Sequence, residues 1–155
     1  MRLVRVIMVC TVLAVLLAWV SSSPPIVKYD HLALGEGGLV EIYFSSDKND
    51  FGGAYNIACA LSEKTKYPNV FPDDGIAIYG KVINKIGGGK FKAMVFMDGF
   101  SRSGQYAVGK FDIDRELNGE KYIPCVIYRK GFFSFGETTK PIEVPVKDLY
   151  SVLSW

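Results

Sequence analysis

The chain has 155 residues, of which 49% are hydrophobic, 14% aromatic and 22% charged. This composition is too apolar and too aromatic for a disordered chain, and the length suits one hydrophobic core better than two. The formal net charge of +2 is carried by Arg2 and Arg5, since the rest of the chain has equal numbers of acidic and basic residues. Global charge therefore neither favours nor excludes nucleic acid as a partner.

The first 22 residues have the layout of a secretory signal peptide. Two arginines precede an apolar run from Val6 to Val20, and Ser21–Ser23 supply small residues for cleavage after Ser22. The run is short for a bilayer span, which needs about 20 residues, although an uncleaved anchor is the alternative. We expect residues 1–22 to be removed and residues 23–155 to form one secreted domain.

Signal cleavage removes Cys10 and leaves two cysteines, Cys59 and Cys125. In an oxidising secretory route, two cysteines in one small domain usually pair. The sequence therefore predicts a Cys59–Cys125 disulfide, which would stabilise the domain by about 4 kcal/mol through the chain entropy of the unfolded state.

The predicted elements of the mature chain are one helix and a series of strands. Pro24 to Asp30 is expected to be an extended, mobile leading segment, followed by a strand over Leu39–Phe44. Asp50–Lys66 is predicted as the helix, because apolar residues recur near helical spacing and Pro68 follows. Further strands are predicted over Ile76–Ile86, Phe91–Met97, Gln105–Ile113, Lys121–Tyr128 and Ile142–Val146, with turns at Gly87–Gly89, Asp98-Gly99, Asn118-Gly119 and Lys130-Gly131 and a tail over Lys147–Trp155. This order predicts an α+β fold: one helix on a curved antiparallel sheet of four to five strands, plus a short N-terminal strand.

Residue types that catalyse reactions or bind metals are scarce. One histidine and two cysteines expected to pair leave no metal or cofactor site to predict. His31 precedes the first predicted strand, where a general base lacks a rigid frame, so we expect a solvated surface histidine.

Two groups of residues are candidates for binding. Lys81, Lys85, Lys90 and Lys92 fall on the two arms of one predicted hairpin. They would form either a ridge that contacts phosphate or a solvated strand edge. Phe132, Phe133 and Phe135 surround a glycine-flanked loop and are difficult to bury together, which favours an exposed partner-binding patch.

Several short motifs resemble the small secreted guanyl-specific ribonucleases of fungi. Tyr67-Pro68, with Phe71 close behind, follows the predicted helix, and Val126–Arg129 matches a later strand of that family. Gly109–Ile113 and Asn118–Glu120 lie between them in matching order. The resemblance covers roughly Gly53–Gly136 and implies the family's helix-on-sheet fold.

The resemblance also implies an exchanged catalytic set. The family's glutamate falls near Lys92, its arginine at Lys110, and its two histidines at Asn69 and Arg129. Only the tyrosine, Tyr67, is kept. Arginine stays protonated throughout the working pH range and cannot cycle a proton. These five residues would hold RNA phosphate without cleaving it, as in the ribonuclease-like secreted effectors of cereal powdery mildews, which this chain is similar to.

Three functional hypotheses follow from the sequence. The first is a secreted, catalytically inactive ribonuclease-like effector that binds a host RNA or a host protein. It would be a monomer, free of membranes after signal cleavage, and some such proteins act inside host cells. The second is an active secreted endoribonuclease with a non-standard pair, such as His31 with Asp73, Asp74 or Glu120. The third is a generic small secreted α+β protein with accidental motif matches.

Overall fold

The computed structural model describes residues 24–47, 51, 55–61, 75–130 and 135–153, and for residues 84–85, 130 and 135–137 it describes the backbone alone. Within these ranges the chain forms nine strands and two short α-helices. The strands are β1 Val27–Leu34, β2 Val40–Ser46, β3 Tyr55–Cys59, β4 Gly75–Gly87, β5 Lys90–Ser101, β6 Gly104–Tyr106, β7 Tyr122–Lys130, β8 Phe135–Thr138 and β9 Ile142–Pro145, and the helices are α1 Lys110–Leu117 and α2 Val146–Val152. A 3-10 turn at Glu36–Gly38 connects β1 to β2.

All the strands belong to one antiparallel sheet with the order β1-β2-β5-β4-β3-β7-β8. β6 pairs with the end of β5, while β9 and β8 pair with successive halves of β7. β1 contacts β9 and α2, and across this seam the Tyr29 hydroxyl donates a hydrogen bond of 2.7 Å to the Asp148 carboxylate. The sheet thus curls into a nearly closed barrel. The predicted α+β fold, with one helix on four to five strands, is wrong.

Alternation along the strands fills the barrel with apolar side chains. Val40, Ile42 and Phe44 of β2 are buried, and the residues between them are only partly buried. Phe44, Phe51 and Phe91 pack against one another, with ring centroids 5.3 to 6.0 Å apart. Burying each such ring contributes about 1.5–3 kcal/mol, so this aromatic cluster is a main part of the core.

Strand β3 lies where the sequence predicts a helix, and the prediction over Asp50–Lys66 is wrong for the part of it that the structure describes. β3 pairs with β4 on one side and with β7 on the other. Ile57 and Cys59 belong to the core, while Ala58 is buried in a second cluster on the outer face. Because both faces are buried, apolar residues do not alternate with polar ones along β3. Their spacing therefore resembles that of a helix.

The strand predicted over Gln105–Ile113 is wrong beyond Tyr106, since β6 ends there and α1 begins at Lys110. Ile113 and Leu117, four residues apart, bury one side of α1. The helix ends at Leu117 and is capped by Asn118, whose φ of 45° is left-handed. Asn118 and Gly119, where the sequence predicts a turn, both have positive φ, but they follow the end of a helix and do not form a hairpin.

The other strand predictions agree with the structure apart from their ends. β2, β4, β7 and β9 lie where strands are predicted, and the Gly87–Gly89 turn joins β4 to β5 as expected. The turn predicted at Asp98-Gly99 is wrong, because β5 continues through it to Ser101. The leading segment, expected to be extended, enters β1 at Val27, and the tail, whose form the sequence leaves open, begins with α2. Neither α-helix in the described ranges is long and apolar enough to cross a bilayer.

The predicted disulfide is confirmed. Cys59 and Cys125 are direct partners in the β3–β7 register, with their Cα atoms 3.9 Å apart, and a disulfide bond joins them. Both residues are 1% exposed. The bond therefore ties two neighbouring strands together on the inner face of the barrel.

Strands β4 and β5 approach each other closely at Gly80. A Cβ atom placed on Gly80 would lie 1.9 Å from the carbonyl oxygen of Met94. Backbone atoms cannot move away without breaking the strand pairing, so this position needs a residue without a side chain.

Candidate binding face

The outer surface of β1, β2 and β5 carries a row of three polar or aromatic side chains. In the strand register His31 is the partner of Tyr43, and Tyr43 is the partner of Lys92. Residues on either side of Tyr43 and Lys92 are buried in the core, so alternation directs these two side chains outward. We call His31, Tyr43 and Lys92 the outer row.

A chain of contacts fixes the outer row. The imidazole of His31 stacks on the Tyr43 ring, with centroids 4.3 Å apart and planes within 10°. The Tyr43 hydroxyl donates to Glu41 Oε2 at 2.7 Å, and Lys92 Nζ donates to Glu41 Oε1 at 2.7 Å. Glu41 therefore bridges Tyr43 and Lys92, and the exposed His31 ring is held against the ring of Tyr43.

The charges of this network stabilise one another. The hydrogen bond from Lys92, followed by the one from Tyr43, holds the pKa of Glu41 below its usual range. The same contact with Glu41 raises the pKa of Lys92, and the Tyr43–Glu41 hydrogen bond raises the pKa of the tyrosine hydroxyl. At neutral pH the Lys92 ammonium is thus balanced by an anionic neighbour, which lowers its availability for phosphate.

Further lysines lie beside the outer row. Lys28 of β1 and Lys90 of β5 are both partners of Ser45 in β2, and both lysines are exposed. Lys81 of β4 pairs with Met94 and is exposed on the same side of the sheet. Two acidic residues on the same surface, Glu41 and Asp30, offset part of the charge of these lysines. The surface formed by the outer row with Lys28 and Lys90 is called the basic face.

The structure does not bring the predicted phosphate-binding residues together. Lys92 lies on the basic face, whereas Arg129 is the partner of Tyr55 at the far end of β7. Two strands separate β5 from β7, a distance of about 14 Å at the usual strand spacing. Lys110 begins α1, with its ammonium 5.6 Å from the centroid of the Tyr150 ring. Tyr67 and Asn69 lie outside the described residues.

The remaining predicted site residues are placed only in part. Phe132 and Phe133 lie outside the described residues, and Phe135 begins β8, where only the backbone is described. Of the carboxylates proposed to act with His31, Asp73 and Asp74 are likewise outside, while Glu120 follows α1. The described contact of His31 is its stack on Tyr43. Within the described ranges, no three His, Cys, Asp or Glu residues are grouped to hold a metal ion.

The cavity that the described residues enclose inside the barrel is small. An apolar cavity of about 20 Å³ is lined by core residues and by the Cys59–Cys125 disulfide. This volume accommodates about one water-sized molecule. The outer surface is therefore the better candidate for binding in this conformation.

Sequence reasoning missed Lys28, Tyr43 and Glu41 as members of a site. The alternation of Glu41, Tyr43 and Ser45 with buried residues was a usable signal for an outward face of β2. The strands beside that face could not be predicted, because β1 was not recognised in the sequence and the order of strands in a sheet cannot be read from alternation.

Comparison of the chain with protein-family models, with curated proteins and with solved structures finds no match. The class that the geometry defines is a disulfide-linked, nearly closed antiparallel barrel with a basic and aromatic outer face.

Proposed function

We propose that the mature chain is a secreted, non-catalytic binding protein whose basic face binds single-stranded RNA. The observation that carries the proposal is the placement of stacked rings among lysines on one rigid sheet. Proteins hold single strands by combining cationic side chains that contact phosphates with flat rings on which bases stack. The basic face has both kinds of group, and the sheet fixes their spacing.

The dimensions of the sheet suit this partner. The row containing Lys28 and Lys90 lies about 7 Å from the outer row, since equivalent side chains on a strand are two residues apart. A base stacked on the exposed side of His31 leaves its phosphates within reach of these flexible lysines. Lys28 and Lys90 are also about 10 Å from each other, with β2 between them.

Lys92 has a different role in this proposal from the one that the sequence predicts. Its ammonium is 2.7 Å from Glu41, and Glu41 also accepts the Tyr43 hydroxyl. Lys92 therefore positions Glu41 and the ring of Tyr43, and through that ring it supports His31. The phosphate contacts are assigned to Lys28 and Lys90, which are both exposed.

Two features support the secretory part of the proposal. Residues 1–22 have the composition of a signal peptide, and disulfides form and persist mainly in oxidising compartments. The proposal does not use a ribonuclease scaffold, because the barrel replaces the fold on which that argument depended. Binding of a host protein through Phe132, Phe133 and Phe135, and entry into host cells, stay predictions.

The test is titration of fluorescein-labelled oligouridine with oxidised protein of residues 23–155, followed by fluorescence anisotropy at several salt concentrations. We expect binding at about 50 mM salt that weakens steeply as the salt concentration rises. Replacing both Lys28 and Lys90 with Gln should weaken binding and reduce the slope of log K against log salt by about 1.4, at about 0.7 per lost phosphate contact. His31→Ala should weaken binding without changing that slope, because stacking releases no counterions.

The matched control is the double variant Lys140→Gln/Lys147→Gln, which removes the same charge from two exposed lysines outside the basic face. It should bind oligouridine almost as the parent protein does. The proposal is overturned if the parent protein shows no binding at low salt, or if the control variant loses as much affinity as the variant of Lys28 and Lys90.

A further inference from the structure

A second pair of aromatic rings lies on the outer surface of the sheet, on β4 and β5. Tyr79 is the direct partner of Phe96 in the strand register, and their ring centroids are 5.9 Å apart with the planes at 31°. Phe96 is 38% exposed, whereas Val95, the residue before it, is buried in the core. We call Tyr79 and Phe96 the ring pair. Through Phe96, it keeps a flat apolar group in contact with solvent.

A hydrogen bond holds the ring pair in place. The Tyr79 hydroxyl donates to the Asp98 carboxylate, which lies two residues beyond Phe96 on β5. This bond is the main cause that raises the pKa of the Tyr79 hydroxyl, so the phenol stays neutral and remains the donor at physiological pH. Because Tyr79 is oriented by Asp98 and lies beside Phe96, the ring pair is ordered before any ligand arrives. Such preorganisation lowers the entropy cost of binding.

The ring pair is continuous with the basic face. Lys92, Met94 and Phe96 follow one another at every second position of β5 and therefore share its outer side. Lys81 of β4 is exposed and is the partner of Met94, so it lies between the basic face and the ring pair. Glu41, the partner of Met94 on the other side, is already bound to Lys92. A cationic side chain thus separates two aromatic positions on one surface.

We propose that Phe96 is a second stacking position for a base of the RNA strand, and that Lys81 contacts the phosphate chain between Phe96 and His31. This inference rests on the proposed function and extends its site. Rings that alternate with cationic groups suit a single strand, because every base has a flat face and every linkage a phosphate. Two strand spacings and four residues separate His31 from Phe96, a distance of about 16 Å. That distance corresponds to about five nucleotides at the spacing of stacked bases.

The test is titration of fluorescein-labelled oligouridine of about ten nucleotides with oxidised protein of residues 23–155, followed by anisotropy. Phe96→Leu keeps an apolar side chain beside Tyr79 but removes the flat ring, and it should lower the affinity about fivefold or more without changing the salt slope. Phe96→Tyr retains the ring and should bind as the parent protein does. Lys81→Gln should reduce the slope of log K against log salt by about 0.7, the value for one phosphate contact.

Photochemical crosslinking gives a second readout that does not depend on affinity. Oligouridine containing iodouridine is irradiated in the complex, and mass spectrometry locates the modified peptides. Iodouridine couples to aromatic side chains on which it stacks, so we expect one crosslink at Phe96 and another at His31 or Tyr43. The matched control is Phe111→Leu, which changes a phenylalanine that is 76% exposed on α1. It should bind as the parent protein does, and Phe111 should carry no crosslink.

The outcomes separate this inference from the proposed function. Thermal unfolding first checks that Phe96→Leu is folded. The inference is overturned if folded Phe96→Leu binds as tightly as the parent protein, if Phe111→Leu loses as much affinity, or if Phe96 is not crosslinked. In each of these cases RNA binding itself stands, provided that His31→Ala still weakens it. Absence of binding by the parent protein at low salt would overturn both.

Discussion

The two faces of β2 and β5 share one backbone but differ in the burial and the polarity of their side chains. The inner face carries Phe44 and Phe91, both fully buried, in the aromatic cluster of the core. The outer face carries Tyr43 and Lys92, which make hydrogen bonds to a shared carboxylate and remain partly exposed. Each pair of faces is generated by single-residue alternation along one strand.

This difference predicts that substitutions at alternate residues of one strand affect either stability or the proposed binding. Substitutions on the inner face remove contacts from a close-packed core, where cavities are costly. Substitutions on the outer face remove contacts that water replaces in large part. The following experiments, from the largest expected effect to the smallest, measure that separation.

Phe91→Ala should have the largest effect on stability. Its ring packs against Phe44 and Phe51, and truncating a buried phenylalanine costs about 3–5 kcal/mol. The measurement is the free energy of unfolding in urea. Lys90→Ala, one residue away and directed outward, is the control and should change stability by less than about 0.5 kcal/mol. Similar losses in both variants would contradict the division of the faces by parity.

Removal of the disulfide should also act on the inner face alone. The double variant Cys59→Ala/Cys125→Ala opens a covalent link between residues 66 positions apart, which should lower the free energy of unfolding by about 4 kcal/mol. Where the variant is still folded, its affinity for oligouridine should match that of the parent protein, since the bond does not touch the basic face. A loss of affinity in the folded variant would show that the two faces are coupled.

Glu41→Gln should have the smallest effect, because partly exposed ion pairs contribute little. At pH 7 the midpoint of thermal unfolding should fall by no more than about 4 °C. The lowered pKa of Glu41 fixes the sign of its pH dependence. Its contribution is present above the ordinary carboxyl pKa of about 4.3 and is lost as the pH falls through the lower value of the folded state. Melting curves of the two proteins should therefore converge in acid, and a constant difference would refute the assigned ion pair.

The parts of the fold that could be predicted are those with one-sided burial or a distinctive turn. β2 alternates clearly and was located from sequence, as was the Gly87–Gly89 turn. β3 was mistaken for a helix because Ala58 is buried on its outer face as deeply as Ile57 is inside. α1 was missed because eight residues give only one repeat of Ile113 and Leu117, which a strand pattern also accommodates.

The candidate site was less predictable than the fold. The sequence singled out Lys90 and Lys92, but the stack of His31 on Tyr43 depends on β1 lying beside β2. Such a pairing joins residues twelve positions apart through a bulge, which local patterns do not specify. The ion pair that occupies Lys92 has the same origin, because Glu41 is more than 50 positions away along the chain.

The close approach of β4 and β5 at Gly80 has a consequence for mutational scanning. Any side chain introduced there meets the Met94 carbonyl, so every substitution at position 80 should eliminate folded protein. In a deep mutational scan this glycine would have the intolerant profile that is usually assigned to a catalytic residue. Its intolerance would report only the distance between two backbones, and a ranking of positions by sensitivity would place it above the exposed residues of the basic face.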